Sequence, residues 1–122
     1  MNIIGQTTKG RSNMNKQHRD EINEIVDKVV ATVPVSEIYL FGSFAQGKEN
    51  QNSDLDFYVV IPDDCGVDEF NANWAINKAV TNRKRAIDIL VGTKSKFERR
   101  KEYFYSIEQE IKDTGVRIYG KD

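Results

Sequence analysis

Two aspartates one residue apart, Asp54 and Asp56, are the side chains whose spacing most directly suggests chemistry. The run from Leu55 to Ile61 is otherwise apolar, β-branched or aromatic, which predicts a strand. Since residues i and i+2 of a strand point to one face, the two carboxylates should project together. Such a pair repels unless one member is protonated or a cation lies between them, and its hard oxygen ligands suit Mg²⁺. The pair therefore predicts a magnesium site; the alternative is a solvated edge where a loop enters a strand.

Gly42 and Ser43 directly follow another predicted strand, residues 37–41. Glycine allows a tight turn there and serine is a good N-cap, so a short helix is expected over residues 44–46. Backbone N–H groups at the start of a helix attract phosphate. This turn is therefore a candidate phosphate cradle, and the alternative is an ordinary turn that ends a strand.

Asp88 is the one charged residue in a third apolar run, residues 86–91. A charge inside an apolar strand is costly unless it is paired or bound to a metal. Asp88 is therefore a third candidate site residue, and the alternative is a residue on an edge strand that points to water.

These features together resemble the nucleotidyltransferases of the DNA polymerase β superfamily. Their order is an apolar strand, Gly42-Ser43, ten residues, Asp54-x-Asp56 and a second apolar run. The short chain is similar to the minimal nucleotidyltransferases, the MntA-like antitoxins of HEPN/MNT pairs. The resemblance implies the polymerase β-like palm, an α/β (α+β) fold with a small mixed sheet of three to four strands and flanking helices.

The resemblance also implies roles for individual residues. Asp54, Asp56 and Asp88 would be catalytic and would hold two Mg²⁺ ions, with Asp88 activating the attacking hydroxyl. Gly42, Ser43 and Gln46 would bind the phosphates of ATP. The chain departs from the family at Gln46, where minimal members often carry Arg. Because glutamine cannot neutralise phosphate charge, this departure implies weaker nucleotide binding, a different nucleotide pose or lower activity.

By the same resemblance, the chain is expected to transfer AMP from ATP to a tyrosine of a partner HEPN-domain toxin, as the antitoxin of a type VII-like toxin–antitoxin pair. The chain is too short to hold its own acceptor, so the acceptor, or a homo- or hetero-oligomer that completes its site, should come from another molecule. Two alternatives stay open: an enzyme that modifies a small molecule, as aminoglycoside nucleotidyltransferases do, and an antitoxin that only binds its partner, with an idle site.

Composition limits the class of protein. The 122 residues are 39% hydrophobic and 30% charged with a net charge of −1, which predicts one soluble domain with no global field that recruits nucleic acid. The single cysteine, Cys65, excludes an internal disulfide and is typical of a reducing compartment. No apolar run is long enough to span a membrane, so a cytoplasmic location is expected. Two basic clusters, residues 83–85 and 99–101, are expected to be solvated faces, with a binding rim for RNA or an acidic partner as the alternative.

Periodicity and turn residues predict the elements that position these side chains. Residues 1–14 lack apolar periodicity and are expected to form a flexible arm before a nucleotidyltransferase domain over residues 15–122. Helices are predicted at residues 16–31, 68–82 and 95–113, strands at residues 37–41, 55–61, 86–91 and 116–119, and a turn at residues 92–93. The second helix should present Phe70 and Trp74 on its apolar surface. The last is predicted as one helix with Gly115 as C-cap and a buried face formed by Phe97, Phe104, Ile107 and Ile111.

Overall fold

The computed structural model describes residues 16–49, 54–81 and 85–120, and these segments form four helices and four strands. In chain order the elements are α1 (Lys16–Thr32), β1 (Glu37–Phe41), β2 (Leu55–Ile61), α2 (Glu69–Ala79), β3 (Ile87–Thr93), α3 (Lys94–Arg100), α4 (Ile107–Thr114) and β4 (Val116–Tyr119). The arm predicted for residues 1–14 lies outside the described residues. None of the helices in the described segments is long and apolar enough to cross a membrane.

The four strands form one mixed sheet in the order β3-β2-β1-β4. β1 pairs antiparallel with β2 and with β4, whereas β2 pairs parallel with β3. A parallel pair needs a crossover connection, and α2, which lies between β2 and β3 in the chain, supplies it and packs against β3. The α/β class and the sheet of three to four strands are thus confirmed, and β2, which follows Asp54 and contains Asp56, lies in the interior of the sheet.

Alternation along β2 divides the core into two layers. Leu55, Phe57, Val59 and Ile61 face the larger layer, where α1 and α2 cover the sheet. α1 contributes its predicted apolar stripe to this layer, and Ile22, Ile25, Val26 and Val29 are all buried. Tyr58 and Val60 face the smaller layer, where Phe97 of α3 and Ile111 of α4 cover them. Because Asp56 is two residues from Tyr58, its side chain points to this second face.

The last predicted helix is two helices, α3 and α4, separated by a turn over residues 101–106. The break occurs because Ser106 caps α4, and its hydroxyl accepts a hydrogen bond from the Gln109 N–H at 2.9 Å. The Ser-x-x-Gln spacing is a signal for the start of a helix. The seven-residue spacing of Phe97, Phe104 and Ile111 instead favoured one continuous helix in the sequence analysis. The expectation of a buried Phe104 is wrong, since this side chain is 82% exposed.

Smaller differences also arise from local capping. The segment predicted as a short helix over residues 44–46 is a turn spanning residues 43–47. β3 continues through the predicted turn at residues 92–93, because the Thr93 hydroxyl directly caps α3 by accepting from the Lys96 N–H at 3.3 Å.

α2 begins one residue later than predicted, after its cap Asp68, and ends at Ala79. Its Phe70 and Trp74 are exposed, while Gly115 is the C-cap of α4 as predicted.

A buried hydrogen-bonded group ties α4 to the sheet. Glu108 is 3% exposed and accepts from the Tyr58 hydroxyl at 2.7 Å and from Arg100 Nε at 3.0 Å. Burial and the bond to Glu108 raise the pKa of the Tyr58 hydroxyl. Burial alone would raise the pKa of Glu108, but the bonds from Tyr58 and Arg100 hold it below its ordinary value. Gly92 makes room for this group, since a Cβ there would overlap the Tyr58 hydroxyl.

Replacing Glu108 with alanine should destabilise the protein by about 3 kcal/mol, because the Tyr58 hydroxyl and Arg100 would lose their shared acceptor. Urea unfolding monitored by circular dichroism measures the change. The matched control is Glu102→Ala, which removes an exposed ion pair with Lys112 at 3.4 Å and should change the free energy of unfolding by less than about 0.5 kcal/mol. Equal effects of the two substitutions would contradict a structural role for the buried group.

Candidate active site

The two central carboxylates meet because β2 and β3 are in parallel register. Asp56 of β2 lies directly beside Asp88 of β3, and because paired residues of neighbouring strands share a face, their side chains project on the same side of the sheet. Asp54 lies just before β2 and is exposed, as is Asp88, whereas Asp56 is half-buried. The tertiary structure thus places Asp88, the third predicted carboxylate, beside Asp56, and the charges of both Asp88 and Asp54 act on Asp56.

Crowding of negative charge is the main electrostatic feature of this site. Burial first, and then the charges of Asp88 and Asp54, raise the pKa of Asp56 to about 6. The charge of Glu110 in α4 acts in the same direction, so a fourth carboxylate adds to the negative field at Asp56. Asp56 therefore holds its proton to a higher pH than an ordinary aspartate does, and a bound cation would relieve the repulsion that causes this.

The donor set fits Mg²⁺, which prefers hard oxygen ligands and usually takes one or two protein carboxylates, with water and phosphate filling the other positions. Within residues 16–49, 54–81 and 85–120, no three His, Cys, Asp or Glu side chains form a ready metal-binding group. The metal site would therefore start from two neighbouring carboxylates, those of Asp56 and Asp88. The exposed Asp54 can join them as a third ligand by changing its side-chain rotamer.

The turn after β1 touches this pair. Phe41, the last residue of β1, is the register partner of Asp56, so Gly42 lies beside the carboxylate. Gly42 has φ +78°, and a Cβ at this position would overlap Asp56 Oδ2. Only glycine combines this left-handed backbone with so close an approach. The predicted phosphate turn and the predicted metal carboxylates are thus adjacent.

Backbone N–H groups at the start of this turn are available to an anion. Within the turn, the N–H groups of Gln46, Gly47 and Lys48 donate to backbone carbonyls at 2.9–3.4 Å. Those of residues 43–45 have no backbone acceptor among the described residues. Consecutive N–H groups of this kind form a concave anion-binding surface. Ser43 is half-buried in the turn and the side chain of Gln46 is exposed.

Packing beneath the turn holds it on the domain. Phe44 is fully buried and contacts the His18 ring edge-on, with 5.1 Å between ring centroids. The guanidinium of Arg85 lies 5.3 Å from the centre of the Phe44 ring, and its Nε is 3.2 Å from Glu21 of α1. The expectation of a solvated basic cluster is therefore wrong for Arg85, whose side chain is only 14% exposed; residues 83 and 84 lie outside the described residues.

Sequence reasoning missed two acidic residues of this region. Glu108 holds α4 on the sheet and the charge of Glu110 acts on Asp56, and both residues lie inside the segment predicted as one long helix. The start signal formed by Ser106 and Gln109 would have located the N-terminus of α4. No local pattern in the sequence shows that α4 packs on the sheet face to which Asp56 points, because this placement depends on contacts between elements.

Comparison with known proteins identifies the class. The sequence model of the nucleotidyltransferase domain family matches residues 20–118, so the chain belongs to this family. It is a transferase of the kind that its strand–Gly-Ser–Asp-x-Asp order predicted, which confirms the recognition at the level of the family. No protein of curated function matches the sequence at a significant level.

Solved structures share the fold. A toxin–antitoxin crystallised with AMP-PNP is 23% identical, with a TM-score of 0.58 over 82% of this chain and 73% of that one. A mutant of the MntA-HpeT toxin–antitoxin is 22% identical, with a TM-score of 0.57 over 82% and 73%. A putative nucleotidyltransferase from Sulfolobus solfataricus is 23% identical, with a TM-score of 0.53 over 66% and 70%. These likenesses show a nucleotidyltransferase fold, in agreement with the expected MntA-like palm.

Proposed function

We propose that this nucleotidyltransferase transfers AMP from ATP to a tyrosine hydroxyl of a partner HEPN-domain toxin and so acts as an antitoxin. The observation that carries the proposal is the placement of Asp56 beside Asp88 in the sheet and directly against Gly42. Two features are thereby adjacent: carboxylates that require a cation, and a turn with N–H groups for phosphate. This is what a reaction on a nucleoside triphosphate needs.

Support for the nucleotide and the partner comes from the shared fold. A toxin–antitoxin with this fold was crystallised with AMP-PNP, an analogue of ATP, which supports ATP as the donor. The MntA-HpeT pair supports a toxin as the partner of this chain. A cytoplasmic location is part of the proposal and is supported by the single free cysteine, Cys65.

In the proposed reaction, the turn at residues 42–47 binds the triphosphate through its N–H groups and orients the α-phosphorus over the carboxylates. Asp54, Asp56 and Asp88 would hold Mg²⁺, which supplies charge neutralisation at the phosphates. Asp88, on the exposed side of the pair, accepts the proton of the acceptor hydroxyl. The hydroxyl oxygen forms its bond to the α-phosphorus as the bond to pyrophosphate breaks.

Intact mass measurement tests the proposal. The protein and its HEPN-domain toxin are incubated with ATP and Mg²⁺, and the intact mass of each protein is then measured by mass spectrometry. A gain of one or more AMP groups on the toxin, absent with Asp54→Asn, supports the proposal. Bound Mg²⁺–ATP without a mass change on any protein would instead favour a small-molecule acceptor.

One observation favours a binding-only antitoxin as a second candidate. Gln46 is exposed in the phosphate turn and brings no positive charge to it. If binding alone neutralises the toxin, Asp54→Asn should protect cells from the toxin as well as the unmodified chain does.

Replacing Gln46 with arginine should lower the KM for ATP about tenfold, because a guanidinium adds charge-assisted hydrogen bonds to phosphate that the amide cannot make. Initial rates of transfer at varied ATP measure the change. Gln17→Arg on the exposed surface of α1 adds the same charge and serves as the control, with no expected change in KM. Equal KM values for all three proteins would exclude phosphate contact at residue 46.

A further inference from the structure

Three consecutive aromatic side chains protrude from the turn between α3 and α4. Tyr103 is 48% exposed, Phe104 is 82% exposed and Tyr105 is 100% exposed. We call this segment, residues 103–105, the aromatic turn. Large apolar side chains are seldom displayed together on a protein that works alone, and such a group marks a surface that another molecule covers.

The aromatic turn is held in one conformation by hydrogen bonds on both sides. The Tyr103 N–H donates to the Arg100 carbonyl at 2.9 Å, and the Tyr105 N–H donates to Gln109 Oε1 at 3.1 Å. Tyr105 has φ +67°, a left-handed conformation that is strained for a bulky residue. The fold therefore holds the backbone that carries these rings in a defined conformation at an energetic cost, which is the pre-organisation expected of a binding contact.

The charges around the aromatic turn favour an apolar partner surface over nucleic acid. Three basic side chains near the turn are already paired with carboxylates: Arg100 with Glu108, Lys101 with Glu98, and Lys112 with Glu102. Nucleic acid binding needs basic groups that are free to contact phosphates. The exposed aromatic area is roughly 400 Å², about half of what one protein contributes to a typical stable interface. The remaining half must come from neighbouring surface.

That neighbouring surface is the face that bears the carboxylates. The aromatic turn ends at Ser106, the cap of α4, and Ile111 of α4 packs in one buried cluster with Phe41, the strand partner of Asp56. α3 and α4 both pack on the face of the sheet to which Asp56 points. A molecule that covers the aromatic turn and continues across this face therefore reaches the candidate active site.

We propose that the aromatic turn is the docking contact for the protein that carries the acceptor hydroxyl. An apolar cleft of that protein receives Phe104 and Tyr105, and the adjacent surface of the same protein presents the hydroxyl to Asp88. The proposal rests on the proposed function for the identity of the partner, the HEPN-domain toxin, but the docking itself requires no nucleotide.

Binding without nucleotide is the first test, and the probe is the purified HEPN-domain toxin titrated calorimetrically with the full chain. Tyr105→Gly combined with Phe104→Ser should raise the Kd at least about 100-fold, since aromatic anchors dominate such contacts. Glycine relieves the positive φ at residue 105, so thermal unfolding should show no loss of stability that could account for the change. The matched control is Phe70→Ser with Trp74→Ser, which removes two exposed aromatics from α2 and should leave the Kd within about threefold.

Three results would overturn the docking proposal: unchanged affinity in the aromatic-turn variant, loss of affinity only in the α2 variant, or no binding of the toxin by the unmodified chain. A fourth is tight binding of a single-stranded RNA oligonucleotide that disappears in the aromatic-turn variant.

A transfer assay separates docking from chemistry. With ATP and Mg²⁺, the aromatic-turn variant should show a KM for the toxin raised about 100-fold and an unchanged rate with a short tyrosine-containing peptide, which cannot use the docking contact. Equal losses for toxin and peptide would overturn the docking proposal. Absence of transfer to either substrate by the unmodified chain would overturn the proposed function, while the calorimetric result would still decide the docking.

Discussion

Replacing Asp56 with asparagine is expected to lower the rate of nucleotidyl transfer at least about a thousandfold while stabilising the metal-free protein. The rate falls because the substitution removes a negative oxygen from the group that would hold Mg²⁺. The stability rises because the amide of asparagine can donate to Asp88 without adding a like charge. Transfer rates and urea unfolding in EDTA measure the two effects on one variant.

The pH dependence of this stabilisation has a definite sign. The folded pKa of Asp56, about 6, lies above the ordinary 3.8, so the folded protein binds this proton more tightly than the unfolded chain does. The contribution of Asp56 to stability is therefore largest below about pH 4, is lost as the pH rises through about 6, and stays absent above that. At pH 7.5 the advantage of Asp56→Asn should be about 1–2 kcal/mol after allowance for solvent screening, and it should vanish at about pH 4.

Asp27→Asn, an exposed change on α1, is the control and should alter neither the rate nor the free energy of unfolding by more than about 0.5 kcal/mol. Added Mg²⁺ should stabilise the unmodified protein more than the Asp56 variant, since it relieves the same repulsion. If Asp56→Asn proved both active and less stable than the unmodified chain, Asp56 would be an ordinary structural residue.

Gly42→Ala should reduce transfer about a hundredfold or more and destabilise the protein by about 2–3 kcal/mol. A methyl group at residue 42 would overlap Asp56 Oδ2, so either the carboxylate or the phosphate turn has to move. Displacement of the reacting groups by about 1 Å is enough for a loss of this size. The backbone at φ +78° adds strain for any residue with a Cβ.

Gly66→Ala separates these two causes. Gly66 also has a positive φ, +91°, but a Cβ there would meet nothing within 4 Å. Gly66→Ala should therefore lower the free energy of unfolding only by the backbone strain, about 1 kcal/mol, and leave the rate of transfer unchanged. Initial rates and thermal unfolding of both variants give the comparison. Similar losses of transfer in the two proteins would show that the approach of Gly42 to Asp56 is irrelevant to the reaction.

Local sequence determined the strands that carry the site. β1 and β2 have the predicted bounds, and α1 and β4 agree with prediction to within one residue, because alternation and amphipathic periodicity act within a single element. The position of Gly42 directly after β1 and of Asp56 within β2 could likewise be predicted from spacing alone. These features were sufficient to predict the family that the match over residues 20–118 shows.

Only the tertiary structure decided which side chains meet across elements. The placement of Asp88 beside Asp56 depends on the parallel register of β2 and β3, where a slip of one residue would send Asp88 to the other face. The break between α3 and α4 turned Phe104 from an expected core residue into an exposed one, and packing of α4 placed Ile111 on the sheet face to which Asp56 points. Periodicity describes one face of one element. It carries no information on how that element is placed against another, because that placement is set by burial summed over the whole core.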